Sequence, residues 1–165
     1  MIVGITLEEL LNWNHEAAEA WKAHFEANPE LLRLDCGVGG AANLQVFARH
    51  IWGAELRWGQ RIAGLPVTGR DEMAGGPLEA IYAFHAEAMR IFRGLLDRPE
   101  SFWSESYKLD FDWLPEEKRV VTRRKVAVHA MLHSQRHWAQ MATFVRMGGA
   151  SARFKGDLLF SSTVR

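Results

Sequence analysis

Hydrophobic residues recur at helical spacing in four long stretches of the chain, which are separated by connections containing proline and glycine. The first stretch opens with a capping box, in which the side chains of Thr6 and Glu9 are expected to bond each other's backbone N–H groups. We predict that this helix runs to about Ala27, where the next two residues end it. The second helix is predicted over about residues 41–63.

The second half of the chain predicts two more helices. The third helix begins at Pro77, whose missing N–H is tolerated in a first turn, and fades before Pro99. The fourth and longest helix covers about residues 123–147 and is closed by two glycines. Between them, residues 102–121 alternate aromatic and polar side chains, which favours short extended segments or an irregular cover. We therefore predict an all-α four-helix bundle, with residues 1–165 forming one domain.

Composition excludes several classes of protein. Hydrophobic residues make up 48% and charged residues 24% of the chain, as in globular proteins rather than disordered or collagen-like chains. The 20 basic and 20 acidic side chains leave no net charge that would favour nucleic acid as a partner. No apolar run approaches the ~18 residues of a membrane span, so a membrane is not an expected partner either.

The cysteine content and the N-terminal residues predict a cytoplasmic protein. Cys36 is the single cysteine, which excludes an intrachain disulfide framework and fits a reducing compartment. The first residues carry no basic segment of the kind that opens a secretory signal peptide.

Charge is unevenly distributed along the chain. Residues 1–82 carry 6 basic and 11 acidic side chains, whereas residues 83–165 carry 14 and 9. The two halves can complement each other within the fold or across an interface. Because two-fold dimers are the commonest soluble assembly, we expect a homodimer.

Two histidines in the fourth helix indicate a site. His133 and His137 are four positions apart in the sequence and therefore lie about 40° apart on the same helix face. That face continues through Ala130 and Met141, so both polar rings point toward the core, where unpaired polar groups are costly. The spacing is that of the two histidines in a helical zinc motif, but a pair of hydrogen-bonded core histidines without a metal also satisfies it.

A third ligand would have to come from one of the remaining histidines. His50 is favoured, because it lies in the middle of the second helix on a face shared with Phe47 and Ala54. Glu55 lies about 140° around the same helix and is not expected to be a ligand. The other four are expected at the surface (His15 and His24), at a solvated or partly buried position (His85), and beside the site or at the surface (His129).

At these residues the sequence resembles the DinB-like superfamily, a group of small bacterial four-helix-bundle proteins. The resemblance is carried by His50-Ile51-Trp52-Gly53-Ala54-Glu55 and by the pattern of His129, His133, His137 and Gln140, and it extends over nearly the whole chain. The C-terminal Arg146-Met147-Gly148-Gly149 and Asp157-Leu158-Leu159-Phe160 are also similar to that family. The chain departs from it at Trp138 and Ala139, where the family often has Arg and Gly.

The resemblance implies a ligand set and a chemistry. It assigns one divalent metal ion to His50, His133 and His137. Imidazole suits zinc, nickel, copper and iron alike, and zinc or nickel is expected. It also implies a metal-dependent enzyme that acts on a small-molecule substrate, with a low-molecular-weight thiol as a second cofactor in an S-transferase reaction. The basic residues Arg123 and Arg124 are then candidates for holding the carboxylates of that thiol, although a solvated helix face is the alternative.

Three other functions stay open at this point. The protein could be a hydrolase, in which the metal activates a water molecule. It could also be a stress-related bundle that binds the metal without catalysing a reaction. The third alternative is a bundle whose core histidines are hydrogen-bonded and hold no metal. Gln140 is expected either near an open coordination position or as a partner that orients a histidine ring N–H. No catalytic residue is identified from the sequence.

Overall fold

The chain forms a mostly helical bundle with two small sheets. A computed structural model describes residues 4–38, 40–73, 75–151 and 156–163. The α helices in these ranges are α1 (Leu7–Ala27), α2 (Leu44–Ala63), α3 (Leu78–Arg93), α4 (Glu100–Ser104) and α5 (Arg123–Met147). No helix among the described residues is both long and apolar enough to cross a membrane. The four predicted helices are thus confirmed as α1, α2, α3 and α5.

Local capping fixes the start of α1 and α2. The capping box of α1 is confirmed, since the Thr6 N–H donates to Glu9 Oε2 at 2.7 Å and the Glu9 N–H donates to Thr6 Oγ1 at 3.1 Å. Asn43 caps α2 by accepting the Val46 N–H at 3.0 Å. The predicted start of the second helix at residue 41 is wrong by three residues. There the chain forms a hairpin of β1 (Asp35–Val38) and β2 (Ala41–Asn43), whose pairing takes up the backbone before α2 begins.

The segment before α5 combines a short helix with a second strand pair. Phe102 and Trp103 lie in α4, so the prediction of extended structure is wrong at those two positions. Further along, β3 (Ser106–Lys108) pairs antiparallel with β4 (Val120–Thr122), and here extended structure is confirmed. β4 leads directly into α5, and its last residue, Thr122, caps the helix by accepting the Lys125 N–H.

Aromatic side chains fill the core between α1, α2 and α5. Trp21, Trp52 and Trp138 are all buried, and the ring of Trp138 lies 5.9 Å from Trp21 and 5.6 Å from Trp52, measured between centroids. Large aromatic groups bury the most apolar area per side chain and so dominate the energetics of such a core. This packing holds α2 against α5, which are the two helices that carry the predicted metal ligands.

A buried carboxylate joins four helices. Glu55 of α2 is 1% exposed and accepts hydrogen bonds from Asn14 Nδ2 of α1 (2.8 Å), His85 Nδ1 of α3 (2.6 Å) and Ser134 Oγ of α5 (2.6 Å). The second ring nitrogen of His85 lies 3.0 Å from His15 Nδ1. His85 is completely buried, which corrects the expectation of a solvated position, and His15 is half-buried rather than at the surface. Polar groups can be buried here because each one has a partner.

Glu55→Ala should destabilise the fold strongly. The substitution leaves the buried donors of Asn14 and His85 without an acceptor and leaves Ser134 only the Ala130 carbonyl, and each unsatisfied buried group costs ~1–3 kcal/mol. We expect the free energy of unfolding, measured by urea denaturation, to fall by about 3 kcal/mol or more. Glu79→Ala in the exposed first turn of α3 is the control and should change it by less than about 0.5 kcal/mol. A Glu55→Ala protein as stable as the control would show that the carboxylate does not hold the helices.

Candidate metal centre

Three histidines from two helices meet at one point. Ligand nitrogens of His50 in α2 and of His133 and His137 in α5 all lie within 4.8 Å of one another. Within the described residues, this is the one group of three or more histidine, cysteine or acidic side chains with the geometry to hold a metal ion. The predicted proximity of His133 and His137 is confirmed, and the structure brings His50 to the same point. That the three bind a metal stays a prediction.

Backbone geometry and one phenylalanine position the three rings. His133 and His137 are adjacent because four residues make one helical turn, and their Nε2 atoms lie 3.1 Å apart. His50 comes from the facing helix, with its ring centroid 5.4 Å from that of His133 and 5.1 Å from that of His137. The buried ring of Phe47 lies parallel to His50 at 6.3 Å and edge-on to His137 at 5.2 Å. Phe47 therefore restricts the orientation of a histidine on each helix.

The three imidazoles are neutral at neutral pH. Burial of its ring, together with repulsion from the neighbouring His137 and His50, lowers the pKa of His133 to about 3. Partial burial lowers the pKa of His50 to about 4, with added repulsion from His137 and Arg70. The pKa of His137 is also lowered by burial, although its hydrogen bond to Gln140 opposes this. Neutral imidazole is the form that binds metal, so the rings can take up an ion without first losing protons.

Gln140 fixes the orientation of one ligand. Its Oε1 accepts a hydrogen bond of 2.6 Å from His137 Nδ1, which makes His137 Nε2 the acceptor nitrogen of the ring, facing His133 at 3.1 Å and Arg136 Nη2 at 3.4 Å. A metal-binding histidine commonly donates its other ring N–H to an acceptor in this way. Of the two roles expected for Gln140, the orientation of a ring N–H is the one that the hydrogen bond supports.

The cluster has the donor chemistry and spacing for a metal ion. Two imidazoles bound to one tetrahedral ion at metal–nitrogen distances of about 2.0–2.1 Å would have nitrogens about 3.3 Å apart, close to the 3.1 Å found here. Without an ion, the same contact is a hydrogen bond from His133 Nε2 to His137 Nε2. His133 Nδ1 is buried and has no hydrogen-bond partner among the described residues. Metal content therefore distinguishes these two interpretations of the pair.

The remaining candidates lie outside the cluster. His129 is exposed, with its ring 5.7 Å from His133 and 5.3 Å from Trp58, so it borders the site. Arg123 forms an ion pair with Glu105, and Arg124 forms one with Glu100. The two arginines start α5, ten and nine residues, or about 15 and 14 Å, along the helix from the first histidine ligand. Their role in binding a thiol stays a prediction.

A cavity of about 280 Å³ opens beside His50. It is also lined by Arg49, Arg57 and Arg70, which the sequence analysis did not identify. The sequence holds a signal for two of them, because Arg49 and Arg57 are about two helical turns apart and so lie on similar sides of α2. It holds none for Arg70, which lies in a connector without periodicity. A larger cavity of about 460 Å³ between α1 and α5 is lined by none of the three histidines.

Comparison with known proteins does not assign the chain to a family. The chain matches no protein-family model, and a search of curated proteins gives no significant match.

Purified protein should contain about one divalent ion per chain, because three neutral nitrogen ligands converge. His50→Ala and His133→Ala should each abolish stoichiometric metal, as measured by elemental analysis. His129→Ala is the matched control, since it removes a neighbouring histidine outside the cluster, and it should retain the ion. Stoichiometric metal in the His50→Ala protein would rule out His50 as a ligand.

Gln140→Leu should weaken metal binding by about 10–100-fold, because it removes the acceptor that orients His137. Gln140→Glu keeps an acceptor oxygen at this position and should bind metal at least as tightly as the original protein. Competition with a chromophoric chelator measures both affinities. Equal affinity in the Leu variant and the original protein would mean that the hydrogen bond does not support the site.

Proposed function

We propose that the protein is a DinB-like, metal-dependent enzyme in which His50, His133 and His137 hold one divalent ion, zinc or nickel. The observation that carries the proposal is the convergence of three histidine ring nitrogens within 4.8 Å, two of them from consecutive turns of one helix. The four long helices α1, α2, α3 and α5 fit the four-helix bundle of that family. A homodimer that acts on a small-molecule substrate, without nucleic acid or membrane partners, belongs to the same proposal.

Three protein ligands favour catalysis over a purely structural metal site. Structural zinc sites close the ion with four protein ligands, whereas catalytic sites use three and leave a position for water or substrate. His50 is the most exposed of the three histidines, and the cavity of about 280 Å³ opens beside it. The open position is therefore expected on the side of His50, where a small molecule has access.

The reaction proposed is transfer of a low-molecular-weight thiol to an electrophile. When bound, the ion lowers the pKa of a coordinated thiol or water and so supplies a nucleophile at neutral pH. No carboxylate belongs to the histidine cluster within the described residues, and Glu55 is fully engaged by its three donors in the core. A mechanism that needs no protein general base fits these surroundings. The residues His50, His133 and His137 would hold the ion, and Gln140 would keep His137 in the required tautomer.

Cobalt-substituted protein tests the thiol reaction. We expect at least one of bacillithiol, mycothiol, glutathione and cysteine to produce a sulfur-to-cobalt charge-transfer band on titration, because an open three-histidine site stabilises a thiolate. The same thiol should react with a monochlorobimane-type electrophile faster with the metal-loaded protein than without it. His133→Ala protein is the control and should give neither signal.

A negative result has a defined meaning. If no thiol gives the band and none is transferred above the rate without protein, the transferase function is wrong. Retained metal would then favour a hydrolase or a non-catalytic metal-binding bundle. Protein that holds no metal at all would favour the hydrogen-bonded histidine pair, for which the 3.1 Å contact between His133 and His137 is the specific support.

A further inference from the structure

The cavity beside His50 has a wall made of arginines. It lies between α2 and the connector that leads to α3, and three of its lining residues are Arg49, Arg57 and Arg70. No aspartate or glutamate lines it within the described part of the chain. At about 280 Å³, it is slightly smaller than the usual pocket for a drug-sized ligand and suits a small molecule.

These arginines lack the partners that arginines elsewhere in the protein have. Arg90, Arg123 and Arg124 each form an ion pair with a glutamate. In the described residues, by contrast, the three cavity arginines have no carboxylate within 4 Å and make no side-chain hydrogen bond, and the Nε of Arg57 is buried without an acceptor. An unsatisfied charged donor is costly, and an anion in the cavity would satisfy it.

The positive charges affect one another and the histidine cluster. Burial lowers the pKa of Arg57, and repulsion from Arg70 lowers it further. His50 lines the same cavity. The positive charges of the cavity therefore lie beside one ring of the histidine cluster, and a bound anion would offset them.

A contact across the cavity determines where Arg70 lies. Gly53, one turn from both Arg49 and Arg57 on α2, has no side chain, and the end of Met73 occupies the vacant space. A Cβ atom at position 53 would lie 2.3 Å from the Met73 methyl group. Met73 is buried, so this contact docks the connector on α2 and brings Arg70 to the same cavity as the two helical arginines.

We infer that this cavity binds a small organic anion, whose carboxylate or phosphate group is held by the guanidinium groups of Arg49, Arg57 and Arg70. Planar guanidinium groups bind both kinds of oxyanion through paired N–H donors. The inference deepens the proposed function and rests on it for the role of His50, which would place the uncharged, reacting part of the same molecule at the metal. Substrates or thiols with a carboxylate or phosphate end would thus be preferred.

Calorimetric titration of metal-free protein tests the inference. Protein treated with a chelating resin is titrated separately with inorganic phosphate and with succinate, so that binding to a metal does not contribute. We expect saturable one-to-one binding that weakens as salt is added. Arg57→Gln and Arg70→Gln should each weaken it by about tenfold or more. Arg90→Gln, which removes an exposed arginine near the end of α3, should leave it unchanged.

The outcomes separate this inference from the proposed function. Because Arg70 is exposed, its variant is expected to fold normally, which circular dichroism and the urea midpoint verify. Binding of only one of the two anions supports the inference and identifies the charged group. The inference is overturned if metal-free protein binds neither anion, or if Arg90→Gln weakens binding as much as the cavity variants. Metal content measured in parallel tests the proposed function. A protein that binds the anion but never holds metal would support the anion site and reject the metal-dependent enzyme function.

Discussion

The carboxylate of Glu55 is the constraint on which the arrangement of the helices depends. A carboxylate in an apolar core is tolerated only when donors surround it, and here α1, α3 and α5 each provide one. Glu55 can meet all three only at one rotation of α2 about its axis. His50 stands five residues earlier on the same helix, so that rotation also decides where its ring points. The core carboxylate and the histidine cluster are therefore two consequences of one helix orientation.

The histidine cluster combines local and tertiary geometry. His133 and His137 would be neighbours in any α helix, because only the spacing within α5 is needed. The third ring depends on the packing of α2 against α5, which the buried tryptophans and the bond between Ser134 and Glu55 hold in place. Ser134 directly follows His133 in sequence, so the hydrogen bond that fixes α2 acts next to the ligand pair.

Features that depend only on residues close together in the sequence were predicted correctly. The capping box at Thr6 and the histidine spacing in α5 are local patterns, and the structure confirms both. The choice of His50 depended on the face that it shares with Phe47 and Ala54 and on the family resemblance, because which helix faces α5 is decided by tertiary packing. The complete burial of His85 was missed because its partner Glu55 lies 30 residues away, and the helical periodicity of hydrophobic residues does not reveal such a pairing. The start of α2 was missed because the three residues before Leu44 pair with a strand, and tertiary pairing of this kind overrides helical propensity.

Glycine in the middle of α2 carries a cost, since it lowers helix stability by about 1 kcal/mol relative to alanine. At position 53 the missing side chain is compensated by the thioether of Met73, so the energetic effects of substitutions at the two positions are coupled and cannot simply be added. A larger residue at 53 would displace the flexible end of Met73 rather than the helix backbone. The effect of such a substitution would therefore appear in the connector rather than in α2. A substitution at position 53 would thus change the distance between Arg70 on the connector and the two arginines of α2, without replacing any charged residue.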